Sequence, residues 1–174
     1  MAETPFVNAL ADKAREHKHA YAGDEDRPLG SYATLITAYS TIGLGALTYA
    51  ASRKSNTRIS AADIALVATA TFKASRVITK GTVTSPLRAP FVRFAGVSGP
   101  SELKEEMRVD GTRRAIGELL TCPFCISQWI ATTLTTGLFL APRQTRAVAS
   151  VFAAVAGSDF LQLLYAQAEQ AAEK

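Results

Sequence analysis

The amino-acid sequence predicts an all-α fold, that of a polytopic helical membrane protein with three or four transmembrane helices and an ordered cytoplasmic loop. Two separate runs of 24 residues carry no charged side chain, a third apolar segment follows the second run closely, and no apolar–polar alternation of period two persists. The mean hydropathy of +0.09 over 174 residues is therefore an average of apolar segments and charged ones.

Composition narrows the class of protein and of partner. Hydrophobic residues make up 48% of the chain and only two cysteines are present, which excludes a disordered chain and a disulfide scaffold. The net charge of +4 comes from basic residues that flank the apolar runs and form no single stripe. We therefore expect contact with anionic lipid headgroups and no nucleic-acid partner.

Residues 1–28 are predicted to form a polar N-terminal tail. Charges occur throughout it, so we expect no cleavable signal peptide. Apolar side chains recur at near-helical spacing in this tail, which is compatible with a short amphipathic helix.

Residues 29–174 are predicted to form a single helical membrane domain, which begins with the charge-free run 29–52. A helix of that length measures about 36 Å, more than the hydrocarbon core of about 30 Å. Tyr32 and Tyr49 lie near its two ends, where interfacial aromatic residues are common.

The segment 60–80 is predicted to be a second helix with Ser60 as its N-cap. Its longest stretch without charge, Ile64–Phe72, has nine residues, which is short for an independent span. Two arrangements stay open: the helix crosses the membrane with Lys73 snorkelling to the surface, or it packs beside the other helices.

Residues 81–112 are predicted to form the ordered loop, because proline and glycine interrupt every periodic pattern there. Within the loop we expect one short helix, Ser101–Val109, which ends at Asp110 and Gly111.

The second charge-free run, 119–142, and the apolar segment 147–168 predict two further spans. Arg143 and Arg146 indicate a tight turn between them, so the two helices form an antiparallel hairpin.

The distribution of basic residues orients these spans. If all four helices cross, the two termini and the segment Lys80–Arg114 place 12 Lys and Arg residues on one side, against five on the other side. The positive-inside rule then places the termini and the loop in the cytoplasm. If the segment 60–80 does not cross, the N-terminal tail lies outside and the loop is still cytoplasmic.

The strongest candidate for chemistry is the sequence Cys122-Pro123-Phe124-Cys125. Proline suits the first position of a helix, which makes Cys122 an N-cap whose thiol pKa the helix dipole lowers. Two kinds of chemistry are compatible with this pattern: a thiol redox pair, or a zinc or iron site completed by a second copy of the chain or by His17 and His19. We favour a pair of small packing residues without chemistry.

Asp159 lies inside the last apolar segment. A carboxylate in a membrane helix requires a partner, and Lys73 or Arg76 is the natural one. We favour an ion pair that fixes the register of the helices, with proton or ion translocation as the alternative.

A basic, hydroxyl-rich patch is predicted around Lys80, Arg88 and Arg93, beside Phe91 and Phe94. Such residues hold a lipid phosphate in some proteins and serve as ordinary interfacial anchors in others, and we favour the anchors.

Four stretches of the sequence are distinctive: SRVITKGTVTSPLRAPFVRF, RRAIGELLTCPFCISQW, APRQTR and AGSDFLQLLYA. They resemble a family of small bacterial membrane proteins that is labelled domain of unknown function 1360. The resemblance covers roughly residues 60–166 and is closest to actinobacterial members, which share the sequence RPLG before the first span. The family includes a Bacillus sporulation-associated member. The resemblance implies that this protein lies in the cytoplasmic membrane of a bacterium, but it implies no reaction. The family pattern leads us to expect an acidic residue where this chain has Gly81, so no charge role is carried over to that position.

We therefore expect a non-enzymatic structural or interaction component, such as an accessory subunit of a membrane assembly, that requires no cofactor. Its partners would be membrane lipids, other membrane subunits or a second copy of the chain. The alternative is a membrane thiol redox or metal-binding protein that uses Cys122 and Cys125. A soluble helical bundle also stays open, because both long runs are rich in alanine and threonine.

Overall fold

The computed structural model describes residues 5–23, 25, 27–53, 58–99 and 102–173. This part of the chain is mostly helical, which confirms the predicted helical class, and it contains one antiparallel two-stranded sheet in addition. The elements in chain order are α1 (Pro5–Ala22), α2 (Leu29–Ser52), α3 (Ala61–Lys80), α4 (Ser85–Arg88), β1 (Val92–Gly99), β2 (Glu102–Met107), α5 (Gly111–Thr121), α6 (Pro123–Leu140) and α7 (Pro142–Ala172).

Helices α2 and α3 begin and end at the predicted residues, to within one position. The start of α3 is fixed by a capping box. Ser60 Oγ accepts a hydrogen bond from Asp63 N at 3.1 Å, and Asp63 Oδ2 accepts one from Ser60 N at 3.0 Å. Because these bonds satisfy backbone N–H groups that have no partner within the helix, local sequence is sufficient to place this helix end.

The span predicted over about 119–142 is shorter in the structure, because the chain leaves the helical conformation at Cys122, with α5 before this residue and α6 after it. The predicted turn at Arg143 and Arg146 is wrong. The turn is the single residue Ala141, since Pro142 already begins α7 and both arginines lie within that helix.

The helix predicted over Ser101–Val109 is also wrong. Glu102–Met107 is strand β2, which pairs antiparallel with β1 from the pair Val92–Met107 to the pair Gly99–Glu102. Ser101 itself lies outside the described residues. The loop 81–112 is therefore a small subdomain built from α4 and a β-hairpin.

Helices α2, α3, α6 and α7 form a bundle in which successive helices run in opposite directions. Tyr32 at the start of α2 contacts Glu118 near the end of α5, and Tyr39, further along α2, contacts Thr132 within α6. Helices α2 and α6 therefore run side by side in the same direction. The pairs Asp63–Arg146 and Lys73–Asp159 show the same for α3 and α7. Helix α6 contacts α2, α3 and α7 and so lies at the centre of the bundle.

One helix of the described residues, α7, is long and apolar enough to cross a membrane, and its most apolar 18 residues have a mean hydropathy of 1.6. By this measure the three or four predicted spans are not supported, because threonine, serine, tyrosine and glycine lower the hydropathy of α2 and α6.

Candidate functional site

The Cys122–Cys125 pair lies at the bend between α5 and α6. The two Sγ atoms are at disulfide distance, and the Cα atoms are 5.3 Å apart. Cys122 is the N-cap of α6 as predicted, and its Sγ accepts a hydrogen bond from Cys125 N at 3.2 Å. The bend therefore presents both sulfur atoms at the positive end of a helix.

A pocket of about 330 Å³ lies beside the pair, between α2, α5 and α6, and Cys125 forms part of its lining. Most of the remaining lining is apolar or aromatic and includes Leu35, Ile36, Tyr39, Leu119 and Trp129. The sequence does not reveal this pocket, because its residues come from three separate helices.

Two aromatic rings give the pocket a fixed shape. Tyr39 and Trp129 pack edge to face, with ring centroids 5.2 Å apart and planes inclined by 65°. The Tyr39 hydroxyl also shares a hydrogen bond of 2.9 Å with the Thr132 hydroxyl, which holds the tyrosine ring against α6.

Glu118 forms the polar end of the same pocket. Its carboxylate accepts hydrogen bonds from the Tyr32 hydroxyl at 2.5 Å, from Arg114 Nε at 3.1 Å and from Arg27 Nη1 at 3.4 Å. This carboxylate raises the pKa of the Arg114 guanidinium above its usual value. The spacing of Arg114 and Glu118, four residues apart on a helix, was the one feature of the sequence that indicated an ion pair at Glu118.

The predicted histidine ligands do not join the cysteines. His17 and His19 are exposed on α1, and no group of three or more His, Cys, Asp or Glu side chains suited to a metal ion occurs among the described residues.

Lys73 and Asp159 are in direct contact through Nζ and Oδ2, so the structure brings together one of the two ion pairs that the sequence suggested. Arg76 has a different partner. Its Nε and Nη2 atoms each donate to Glu102 at 2.8 Å, which attaches α3 to the hairpin.

Arg88 is not a headgroup ligand, because its side chain is fully buried. Its Nε donates to Glu105 at 2.6 Å, and its Nη atoms donate to Glu105, to the Thr84 hydroxyl, and to the carbonyls of Ile78 and Gly81. The guanidinium therefore closes the C-terminal end of α3 and fixes it to the subdomain.

The remaining residues of the predicted basic patch are separated. The Arg93 side chain is 70% exposed and pairs with Glu106 on the opposite strand at 2.9 Å, while Lys80 is half-buried at the end of α3. The predicted basic patch is therefore not a single surface.

Gly81 has a steric role. A Cβ atom at this position would lie 2.6 Å from the Val77 carbonyl oxygen and 3.0 Å from Thr84 Oγ1. The position therefore allows the chain to leave α3 closely enough for Arg88 to reach the Gly81 carbonyl at 2.9 Å.

Residues 66–165 match the model of a family described as protein of unknown function (DUF1360). The matched segment extends from within α3 to within α7, so it contains the cysteine pair, the buried Arg88 and the Lys73–Asp159 contact. No curated protein and no solved structure matches the chain.

Proposed function

Since this chain belongs to the DUF1360 family, whose description assigns no activity, we propose its function from its own geometry. We propose a multi-pass protein of the bacterial cytoplasmic membrane in which Cys122 and Cys125 alternate between a dithiol and a disulfide. The observation that carries the proposal is the position of both sulfur atoms at the N-terminus of α6 and beside an apolar pocket.

Exposed apolar surface supports the membrane location. Only 11% of the most apolar part of α7 is buried in the bundle, whereas a core helix of a soluble protein would be mostly buried. Large apolar side chains such as Ile36 on α2 and Ile64 on α3 are also more than half exposed. Apolar side chains exposed in this number are stable in lipid and prone to aggregate in water.

The placement of ion pairs supports four crossings. The Arg27–Glu118 pair lies at one end of the bundle and the Asp63–Arg146 pair at the other, with Lys73–Asp159 between them. In this arrangement α2, α3, α6 and α7 all cross, the cysteine pair faces the cytoplasm, and the subdomain over residues 81–112 lies on the cytoplasmic surface.

The chemistry follows from the N-cap position. In the reduced pair, the Cys125 N–H and the helix dipole favour the Cys122 thiolate, which is the attacking form in thiol–disulfide exchange. The thiolate attacks a disulfide of the partner molecule and releases one partner thiolate. Cys125 then displaces the second, so the partner gains two electrons and the pair becomes a disulfide.

The test is quantitative thiol labelling of the full chain in native membranes. We expect two alkylated thiols under reducing conditions and none under oxidising conditions, with a reversible transition between them in glutathione buffers. The variants Cys122→Ser and Cys125→Ser should each show one thiol under all conditions. Labelling of wild type that does not change with the buffer would contradict the proposal, as would stoichiometric zinc or iron bound to the purified protein.

A second candidate function, that of a structural or accessory subunit, is favoured by the C-terminal half of α7. Five apolar side chains between Phe160 and Tyr165 are exposed there, and they cover more than half of the circumference of the helix. Co-purification from native membranes in mild detergent tests this role. A stoichiometric partner that is lost when Leu161 and Leu164 are replaced by serine supports it, and a partner-free protein contradicts it.

A further inference from the structure

The pocket beside Cys125 has the features of a binding site for a small planar molecule. We propose that it binds a membrane quinone, which takes up the electron pair of the Cys122–Cys125 dithiol. This inference rests on the proposed thiol chemistry, with a membrane quinone as the oxidant of the dithiol in place of a partner disulfide.

The lining of the pocket fits the ring of a quinone. Its volume of about 330 Å³ lies in the range of small-molecule sites, which begins at about 300 Å³. Tyr39 and Trp129 provide flat aromatic surfaces that are held in place by packing against each other. A planar conjugated ring can stack on such surfaces at little cost in conformational entropy.

The pocket has both polar groups and an apolar opening. Gln128 and Glu118 lie in its lining with the Tyr32 hydroxyl, and a side-chain amide can donate a hydrogen bond to a quinone carbonyl. Ile36 forms another part of the lining and is 66% exposed on the outside of the bundle. In the proposed membrane orientation this side faces lipid, so the ligand class that can enter is lipid-soluble.

The electron transfer balances with the groups that meet at this pocket. The dithiol loses two electrons and two protons as the two S–H bonds break and the S–S bond forms. The quinone gains the same two electrons and two protons as two O–H bonds form, which gives the hydroquinone. No other oxidant is needed.

Trp129 makes the site directly observable, because it is the only tryptophan in the chain. Full-length protein in lipid nanodiscs, reduced and kept under anaerobic conditions, is titrated with decyl-ubiquinone. We expect saturable quenching of tryptophan fluorescence and the conversion of one quinone per dithiol, with the disulfide formed in equal amount.

Two sets of variants separate binding from electron transfer. The double variant Cys122→Ser/Cys125→Ser should still quench saturably with decyl-ubiquinone but reduce none of it. Tyr39→Leu should weaken binding by about fivefold or more, because it removes one of the two aromatic surfaces. Tyr49→Leu is the matched control on the same helix, since Tyr49 is 53% exposed and does not line the pocket. Its affinity should equal that of wild type.

The outcomes distinguish this inference from the proposed function. A pair that is reversible in glutathione but shows no saturable quenching overturns the quinone site and leaves the thiol function intact. Equal quenching in Tyr39→Leu and Tyr49→Leu, or binding without oxidation of the dithiol, also overturns the inference. A pair that does not titrate in glutathione buffers overturns the proposed function itself.

Discussion

Arg88 uses all five of its N–H donors inside the protein. Two groups of acceptors receive them: the carboxylate of Glu105, and the backbone and hydroxyl oxygens at the end of α3. The ion pair is almost completely removed from solvent, with 0% of the Arg88 side chain and 7% of the Glu105 side chain exposed. A guanidinium buried in this way remains charged, so the stability of the fold requires its carboxylate partner.

Replacing Arg88 by alanine should therefore destabilise the protein by about 3–5 kcal/mol, because Glu105 would stay buried without a partner. Arg93→Ala is the matched control, since Arg93 pairs with Glu106 across the same hairpin at an exposed position. We expect a much lower midpoint of thermal unfolding in detergent for Arg88→Ala and no measurable change for Arg93→Ala. Equal midpoints for the two variants would show that the buried pair does not stabilise the fold.

Single residues differ in how far the sequence predicts their role. Ser60 and Cys122 could be assigned as N-caps, because the partners that define a cap lie within three positions along the chain. The burial of Arg88 could not be predicted in this way. It depends on Glu105, which is 17 positions away and reaches Arg88 only after the hairpin has formed.

At the scale of elements, β2 shows why local pattern fails. Its sequence, ELKEEM, consists of good helix formers, so propensity favours a helix. In the strand, Leu103, Glu105 and Met107 are half-buried and alternate with exposed Lys104 and Glu106. The charge of Glu105 hides this alternation in the sequence, because the strand carries a carboxylate where a core-facing strand usually has an apolar side chain.

The contact between α5 and the subdomain depends on Gly117. A Cβ atom there would lie 2.8 Å from Phe91 Cβ and 3.0 Å from Met107 Sδ. Gly117→Ala should therefore cost about 1–3 kcal/mol through overpacking. Gly45→Ala is the control, because Gly45 also lies in a helix and has open space around it, so this variant should be neutral or slightly stabilising. Chemical unfolding of the two variants measures the difference, and equal stability would refute the close contact.

The pairing of α3 with α7 depends on Lys73 and Asp159. Asp159→Leu or Lys73→Met alone should lower the yield of folded protein in the membrane several-fold, because each leaves one charge without its partner. The double variant should recover much of that yield, since neither charge then remains. Fluorescence-detected size exclusion of the solubilised protein measures the folded yield. A double variant that is as poor as the sum of the two single ones would exclude direct coupling.

At the scale of the whole molecule, the sequence predicted the long helices, but two sequence criteria, charge-free length and mean hydropathy, give different numbers of spans. Charge-free length predicted α2 correctly, and the apolar segment 147–168 lies wholly within α7. Hydropathy alone singles out α7 as a span. The two criteria differ because small residues such as Thr132 and Gly43 occupy the contact between α2 and α6, where they allow close packing but contribute little hydrophobicity.

The four-crossing arrangement places Val97 and Gln144 on opposite sides of the membrane, although both are exposed in the bundle. Single cysteines introduced as Val97→Cys and Gln144→Cys, in a background with Cys122→Ala and Cys125→Ala, report their sides by reaction with a membrane-impermeant maleimide. Intact cells should label only Gln144→Cys, and lysed cells should label both, because the positive-inside rule keeps the subdomain in the cytoplasm. A soluble bundle would instead leave both sites unlabelled in intact cells and would be released by carbonate extraction.

If α3 lay on the surface without crossing, Val97 and Gln144 would still be on opposite sides. A third site, Ala9→Cys in the exposed part of α1, then decides the matter, since it is labelled in intact cells only if α3 does not cross.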